Sequence, residues 1–203
     1  MIVSPFVNWP QDEILILASA SPRRAELLKV AGIPFKIIPA GDVEAEFQDK
    51  ASTMQPADYA ELQALAKAKH VAKEHSGRII LGADTIVIID NEILEKPADE
   101  ADACDMLQRL AGRRHTVISA IAIIKDGRQW SGYDSTSVEF LPLEEDIIKK
   151  YVNTGEPMDK AGAYGIQGFG AMMVSRIEGC YFNVMGLPLS LLGKALNSQF
   201  LDK

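Results

Sequence analysis

The chain has 203 residues, 47% of them hydrophobic and 24% charged. That length suits one large domain or two lobes sharing a core, and that apolar content builds a core without disulfides or structural metal. A formal charge of -7 argues against a nonspecific nucleic-acid binder, which needs clustered Lys and Arg. A small anionic substrate stays admissible where local cations or a bridging metal offset the global field.

Residues 1–12 contain Pro5 and Pro10 with little periodicity and read as a surface leader. The short apolar run 14–20 ends in Ala18-Ser19-Ala20, but Asp12 and Glu13 precede it with no basic residue, unlike a secretory signal. Nothing approaches the ~20 apolar residues of a membrane span, so the expected compartment is the cytoplasm. Cys104 and Cys180 lack CxxC spacing and read as reduced, partly buried thiols.

Residues 14–18 read as a buried strand that hands over at Ser19-Ala20-Ser21-Pro22. Ser21 is placed to cap a helix with Pro22 in its first position, running to about Val30 and stopping at Gly32. Extended structure resumes over 35–39. After the acidic stretch 42–46, a helix over 56–74 follows, with Tyr59, Leu62, Leu65 and Ala66 as its apolar face. Residues 79–90 form a near-continuous β-branched run, the pattern of a strand buried on both faces, interrupted at Gly82-Ala83-Asp84-Thr85. Asp90-Asn91-Glu92 turns into a short strand at 93–94, and a helix covers 99–110. Residues 115–125 and 128–140 form a hairpin about Asp126-Gly127. A helix over 144–152, a Gly-rich stretch over 155–170, a strand over 171–177 and a last helix to about Asn197 complete the chain. Hairpins coexisting with helical crossovers predict an α/β protein with a mixed sheet.

Four places carry candidate chemistry. Ser19-Ala20-Ser21-Pro22-Arg23-Arg24 sits where a strand passes into a helix, whose N-terminal amides attract anions. Two arginines there oppose the helix dipole unless an anion compensates. Asp84 is a carboxylate inside an apolar run, so it is expected to be paired or to bind a metal. The glycine and alanine before it suggest that the backbone opens there and that something approaches closely. Glu44 in the acidic stretch, with Lys69 and Lys96, forms a third set, because Mg²⁺ uses one or two carboxylates plus substrate phosphates. His70, His75 and His115 lack metal-site spacing. Finally, Gly162, Gly165 and Gly168 permit close approach to the backbone, and Gln167 has the donor and acceptor to read a base edge. No GxxxxGK[ST] loop, GxSxG elbow or zinc-type cysteine pair occurs, which removes the readings those motifs support.

In order, Ala18-Ser19-Ala20-Ser21-Pro22-Arg23-Arg24, Gly82-Ala83-Asp84-Thr85, Glu95-Lys96-Pro97, the run from Gly155 to Gly168 (GEPMDKAGAYGIQG) and Val184-Met185-Gly186-Leu187-Pro188 resemble the motif series of the Maf proteins. The resemblance covers residues 14–196. It implies an α/β fold with an elongated mixed β-sheet flanked by helices, two lobes of one domain (13–203) around a central cleft, and a homodimer. It also implies a nucleoside triphosphate pyrophosphatase using Mg²⁺ or Mn²⁺. Arg23, Thr85 and Gln167 match the branch acting on dTTP and UTP rather than the one acting on 7-methyl-GTP. Asp84 corresponds to the family's catalytic carboxylate. Ser21, Arg24, Glu44, Lys69, Lys96 and Gln167 correspond to its phosphate and metal group, with Glu46 the alternative to Glu44. A nucleotide-binding role in regulating cell division is the alternative that the family suggests.

Overall fold

Strand β1 (Leu15–Leu17) is buried at every position, and its neighbours set the direction of the sheet. The structure, a computed structural model, describes residues 4–201, apart from the side chains of residues 44, 45 and 48. Residues 1–3 of the expected leader therefore lie outside it. β1 runs parallel to β2 (Phe35–Ile37) and to β3 (Ile80–Ile89), with Leu17 in register with Leu81. β3 pairs antiparallel with β4 (Glu92–Leu94), and β6 (Arg128–Phe140) pairs antiparallel with β7 (Val174–Glu178). With β5 (Arg114–Lys125) the sheet has seven strands in the order β2-β1-β3-β5-β6-β7, β4 lying against β3 off that path. The sheet is mixed, as the interleaving of hairpins and crossovers predicts.

Both hairpin turns have a stereochemical cause. Asp90 and Asn91 take φ of 53° and 64°, and Asp126 and Gly127 take 50° and 75°. Two successive left-handed residues make the turn whose twist matches the flanking strands, and Asp, Asn and Gly tolerate it best.

The helices are α1 (Pro22–Val30), α2 (Pro56–Ala72), α3 (Glu100–Leu110), α4 (Glu145–Val152), α5 (Tyr181–Met185) and α6 (Leu189–Ala195). Pro22 stands at the start of α1, but the Ser21 side chain makes no capping bond, contrary to expectation. Asp99 does cap α3, accepting from the Asp102 amide at 2.9 Å. None of these helices is long and apolar enough to cross a membrane.

The expected apolar face of α2 is displaced. Its buried residues are Tyr59, Ala60, Gln63, Ala64, Lys67, Ala68 and Val71, whereas Leu62, Leu65 and Ala66 are half-buried. The reason lies in β3, which is continuous through Gly82-Ala83-Asp84-Thr85 rather than opened there. A Cβ on Gly82 would fall 2.1 Å from the Ala64 carbonyl oxygen and 2.8 Å from the Ala68 nitrogen. What approaches the strand closely is α2 itself, and only small residues at 64 and 68 opposite a glycine allow that distance.

The chain divides into two compact units. Among the described residues, unit 1 holds 4–84, 119–134 and 186–201, and unit 2 holds 85–118 and 135–185. In unit 1, Leu15, Leu17, Leu27, Leu28, Ile80, Leu81 and Ile121 are almost wholly buried. Its leader segment is pinned, with the Asn197 amide group donating to the Phe6 carbonyl and accepting from the Asn8 amide at 3.0 Å each. Unit 2 has its own core, including Leu107, Leu110, Val117, Phe140, Ile148 and Tyr164.

In that second core His115 packs edge-on against Phe140 and Tyr164, its Nε2 lying 2.8 Å from the Tyr164 hydroxyl. Burial pushes the imidazole down to about 4 from its ordinary value of 6.5. A depressed histidine is neutral when folded, so its stabilising contribution is full above about pH 6.5 and declines as pH falls toward 4. Chemical denaturation at pH 7 and pH 4.5 should show a loss on the order of 2–3 kcal/mol, and His115→Gln should flatten that dependence.

Candidate functional site

Asp84 projects from β3 and is 8% exposed. Among the described residues it is the one buried carboxylate, and it is paired. The Lys67 ammonium donates to Asp84 Oδ1 at 2.7 Å and to the Ala83 carbonyl at 3.2 Å. Lys67 is itself only 6% exposed. It reaches the strand because the small-residue face of α2 lies against Gly82. Taking two charges out of water is costly, and here each is the other's compensation. The carboxylate is thus held in a fixed orientation and is not fully shut off from solvent.

Lys69 is the lysine of this helix expected in the phosphate-binding set. It lies two residues further along α2, on the exposed side, while Lys67 makes the pair with Asp84. Helical arithmetic explains why Lys67 makes the pair. Tyr59, Gln63, Lys67 and Val71 recur every four residues on the buried face, a spacing that puts them above one another. Gln63 donates to the Tyr59 hydroxyl at 2.9 Å along the same line.

The strand-to-helix loop lies in the same unit. Ser19, 7% exposed, follows β1 by two residues. The parallel register of Leu17 with Leu81 directs this loop along β3 toward Asp84. The Ser19 hydroxyl oxygen accepts from the Ser21 amide at 3.2 Å and from Arg24 Nη1 at 3.0 Å. Arg24 Nε also donates to the Gly186 carbonyl at 3.0 Å. Arg24 therefore braces the loop against the segment before α6, while Ser21 and Arg23 are half-buried in the loop and the first turn of α1. That turn carries no acidic residue, which suits an anion at the helix start. Ser19 belongs to a motif of the sequence, but its role as acceptor has no signature beyond its place at the strand end.

Glu44 opens the 3₁₀ segment Glu44–Lys50. Its side chain, a candidate metal ligand, lies outside the described residues. Its alternative Glu46 is exposed. No group of three His, Cys, Asp or Glu side chains suited to a metal occurs among the described residues.

In unit 2, Thr85 is half-buried on β3 and Lys96 is exposed after β4. The segment preceding Lys96 is fixed by the Gly162 amide, which donates to the Glu95 carbonyl at 3.0 Å. Gly162 has φ of +65°, and a Cβ there would meet Val87 at 2.8–2.9 Å. The expected strand at 171–177 is shortened at its start, because Gly168–Met173 coils into a 3₁₀ segment before β7. Gln167 is half-buried directly before that segment.

The chain is similar to known proteins along most of its length. The family model described as "Maf-like protein" matches residues 14–199. A "dTTP/UTP pyrophosphatase" of Symbiobacterium thermophilum is 50% identical over 176 residues, covering 86% of this chain and 88% of that protein. Proteins with the same description from Bacillus cereus (strain AH820) and Bacillus anthracis are each 46% identical over 188 residues, covering 93% of this chain and 96% of theirs.

Proposed function

Because the chain belongs to the Maf family, we propose that it hydrolyses dTTP and UTP to the nucleoside monophosphate and pyrophosphate. The observation that carries this reading is the buried Asp84 carboxyl, held at 2.7 Å by Lys67 on a continuous strand. A carboxylate fixed in this way has one oxygen anchored and can use the other to orient or deprotonate the water that attacks the α-phosphorus. The P–O bond to the bridging oxygen breaks, and pyrophosphate leaves with the bonding electron pair.

The groups of unit 1 divide the work. Asp84 acts on water, and Lys67 fixes its orientation. The amides at the start of α1, with Ser21, Arg23 and Arg24, meet phosphate oxygens, where charge stabilisation is the dominant contribution to such transfers. For the residues of unit 2, the Maf resemblance implies a phosphate role for Lys96 and a base-selecting role for Thr85 and Gln167.

A divalent metal suits these donors. Mg²⁺ and Mn²⁺ take hard oxygen ligands and need only one or two carboxylates when a triphosphate supplies the rest, so a cluster of three acidic side chains is unnecessary. Asp84 and Glu44 would hold it, with Glu46 the alternative second ligand. When bound, it would neutralise charge on the triphosphate. The same reading places the enzyme in the cytoplasm as a homodimer.

The test is pyrophosphate release from a panel of nucleoside triphosphates, including 7-methyl-GTP, with Mg²⁺ or Mn²⁺. The highest kcat/KM is expected for dTTP and UTP. A preference for 7-methyl-GTP would reassign the substrate, and binding without turnover would favour a regulatory protein.

A further inference from the structure

We propose that Glu156 is a positioning residue that sets how Gln167 is presented to the nucleotide base; this rests on the pyrophosphatase reading above. The Gly-rich segment around Gln167 contains only short 3₁₀ turns, Glu156–Asp159, Ala161–Ala163 and Gly168–Met173. Regular hydrogen-bond ladders do not fix it. One carboxylate does much of that task. Glu156 Oε2 accepts from the Phe169 amide at 3.0 Å, and Oε1 accepts from the Gly170 amide at 3.1 Å and the Tyr151 hydroxyl at 2.9 Å. On the other side of Gln167, the Gly165 amide donates to the Tyr151 hydroxyl oxygen at 3.3 Å. Gln167 is thus bracketed: backbone amides two residues before it and two and three residues after it are tied to the same phenol and carboxylate pair.

The steric record agrees. Gly168 has φ of +71°, and a Cβ there would lie 2.6 Å from Glu156 Oε2. A Cβ on Gly170 would lie 2.8 Å from the Tyr151 hydroxyl, and one on Gly165 would lie 2.8 Å from Lys160 Cε. Lys160 in turn donates to the Glu156 carbonyl and, at 2.6 Å, to Asp159 Oδ1. The glycines on either side of Gln167 are therefore required by the clamp, beyond any close approach of substrate. The first amides of the 168–173 turn form a small anion nest, and Glu156 fills it from within the chain. That nest is taken, so these two amides are not offered to a phosphate. Burial works against the Glu156 charge, yet the two amides, the Tyr151 hydroxyl and Lys160 together hold its carboxyl below the usual value.

The geometry makes an isosteric variant informative. Each carboxylate oxygen receives a backbone N–H, so either orientation of the amide in Glu156→Gln sets an NH₂ against a donor. The panel assay is run on wild type, Glu156→Gln and Tyr151→Phe, with thermal unfolding of each. KM for dTTP and UTP is expected to rise about tenfold or more in Glu156→Gln, as for a broken hydrogen bond to a charged group, with kcat within about threefold. The preference for pyrimidine over purine nucleotides should shrink alongside. Tyr151→Phe should move KM in the same direction by less, and exchange of the Phe169 and Gly170 amides should accelerate in Glu156→Gln. Unchanged KM and selectivity in a folded Glu156→Gln, or a fall in kcat alone, overturns the proposal. Should Glu156→Gln not fold, Tyr151→Phe decides by the same criteria. Wild type inactive on every nucleotide would instead remove the pyrophosphatase reading and this inference with it.

Discussion

Replacing Asp84 with Asn lowers kcat for dTTP and UTP by at least about 10²-fold, the low end of a general base's contribution. Asn keeps the shape and a carbonyl oxygen for Lys67, but it can neither take a proton from water nor carry the negative charge a divalent cation requires. The loss should therefore appear in kcat, while the nucleotide still binds through groups that the substitution leaves alone. Steady-state pyrophosphate release and nucleotide titration on the same preparation separate the two. Turnover within a fewfold of wild type would remove Asp84 from the chemistry.

Replacing Lys67 with Met should have the largest effect on stability. The two side chains are 7% and 12% exposed at 2.7 Å, so deleting the cation leaves a buried carboxylate without its counter-charge. Breaking such a pair from one side typically costs about 3–5 kcal/mol, which denaturant unfolding measures directly. Combining Lys67→Met with Asp84→Asn should recover much of that loss, because no uncompensated charge then remains, while activity stays no higher than in Asp84→Asn alone. Lys69→Met, two residues away on the exposed side of α2, should be neutral within about 0.5 kcal/mol. Equal costs at positions 67 and 69 would contradict the described pair.

Lys67 shows what a residue pattern reveals of this fold and what it hides. Strand β3 was legible from its β-branched run, and the turns at Asp90-Asn91 and Asp126-Gly127 from the residues that accept positive φ. Asp84 stood out because a carboxylate amid Ile, Leu and Val needs a reason. Lys67 did not, because hydropathy follows Leu62 and Leu65, whereas the face of α2 that meets the strand is built of alanines with a polar line through them. Volume rather than hydropathy set that face, and Gly82 was the clue to it. Gly82-Ala83 reads in sequence as an opening in the strand, but it marks the place where a helix sits down. The missed helix α5 is only five residues long, too short to show a period. Glu156 belonged to a recognised motif yet had no assigned role, because its partners are backbone amides 13 and 14 residues away, and amides leave no mark in a residue pattern.

The division of the chain has a consequence for how the protein can be dissected. The boundary between the units is crossed four times, after residues 84, 118, 134 and 185, and three of those crossings fall inside β3, β5 and β6. No single scission of the backbone releases either unit whole. A fragment ended at Asp84 would cut a ten-residue strand in mid-course, strip the proposed catalytic carboxylate of its following neighbour and leave unit 1 without the portions of β5 and β6 that belong to it. Gene truncation is thus a poor way to locate activity in this protein, and point substitution is the instrument its topology permits.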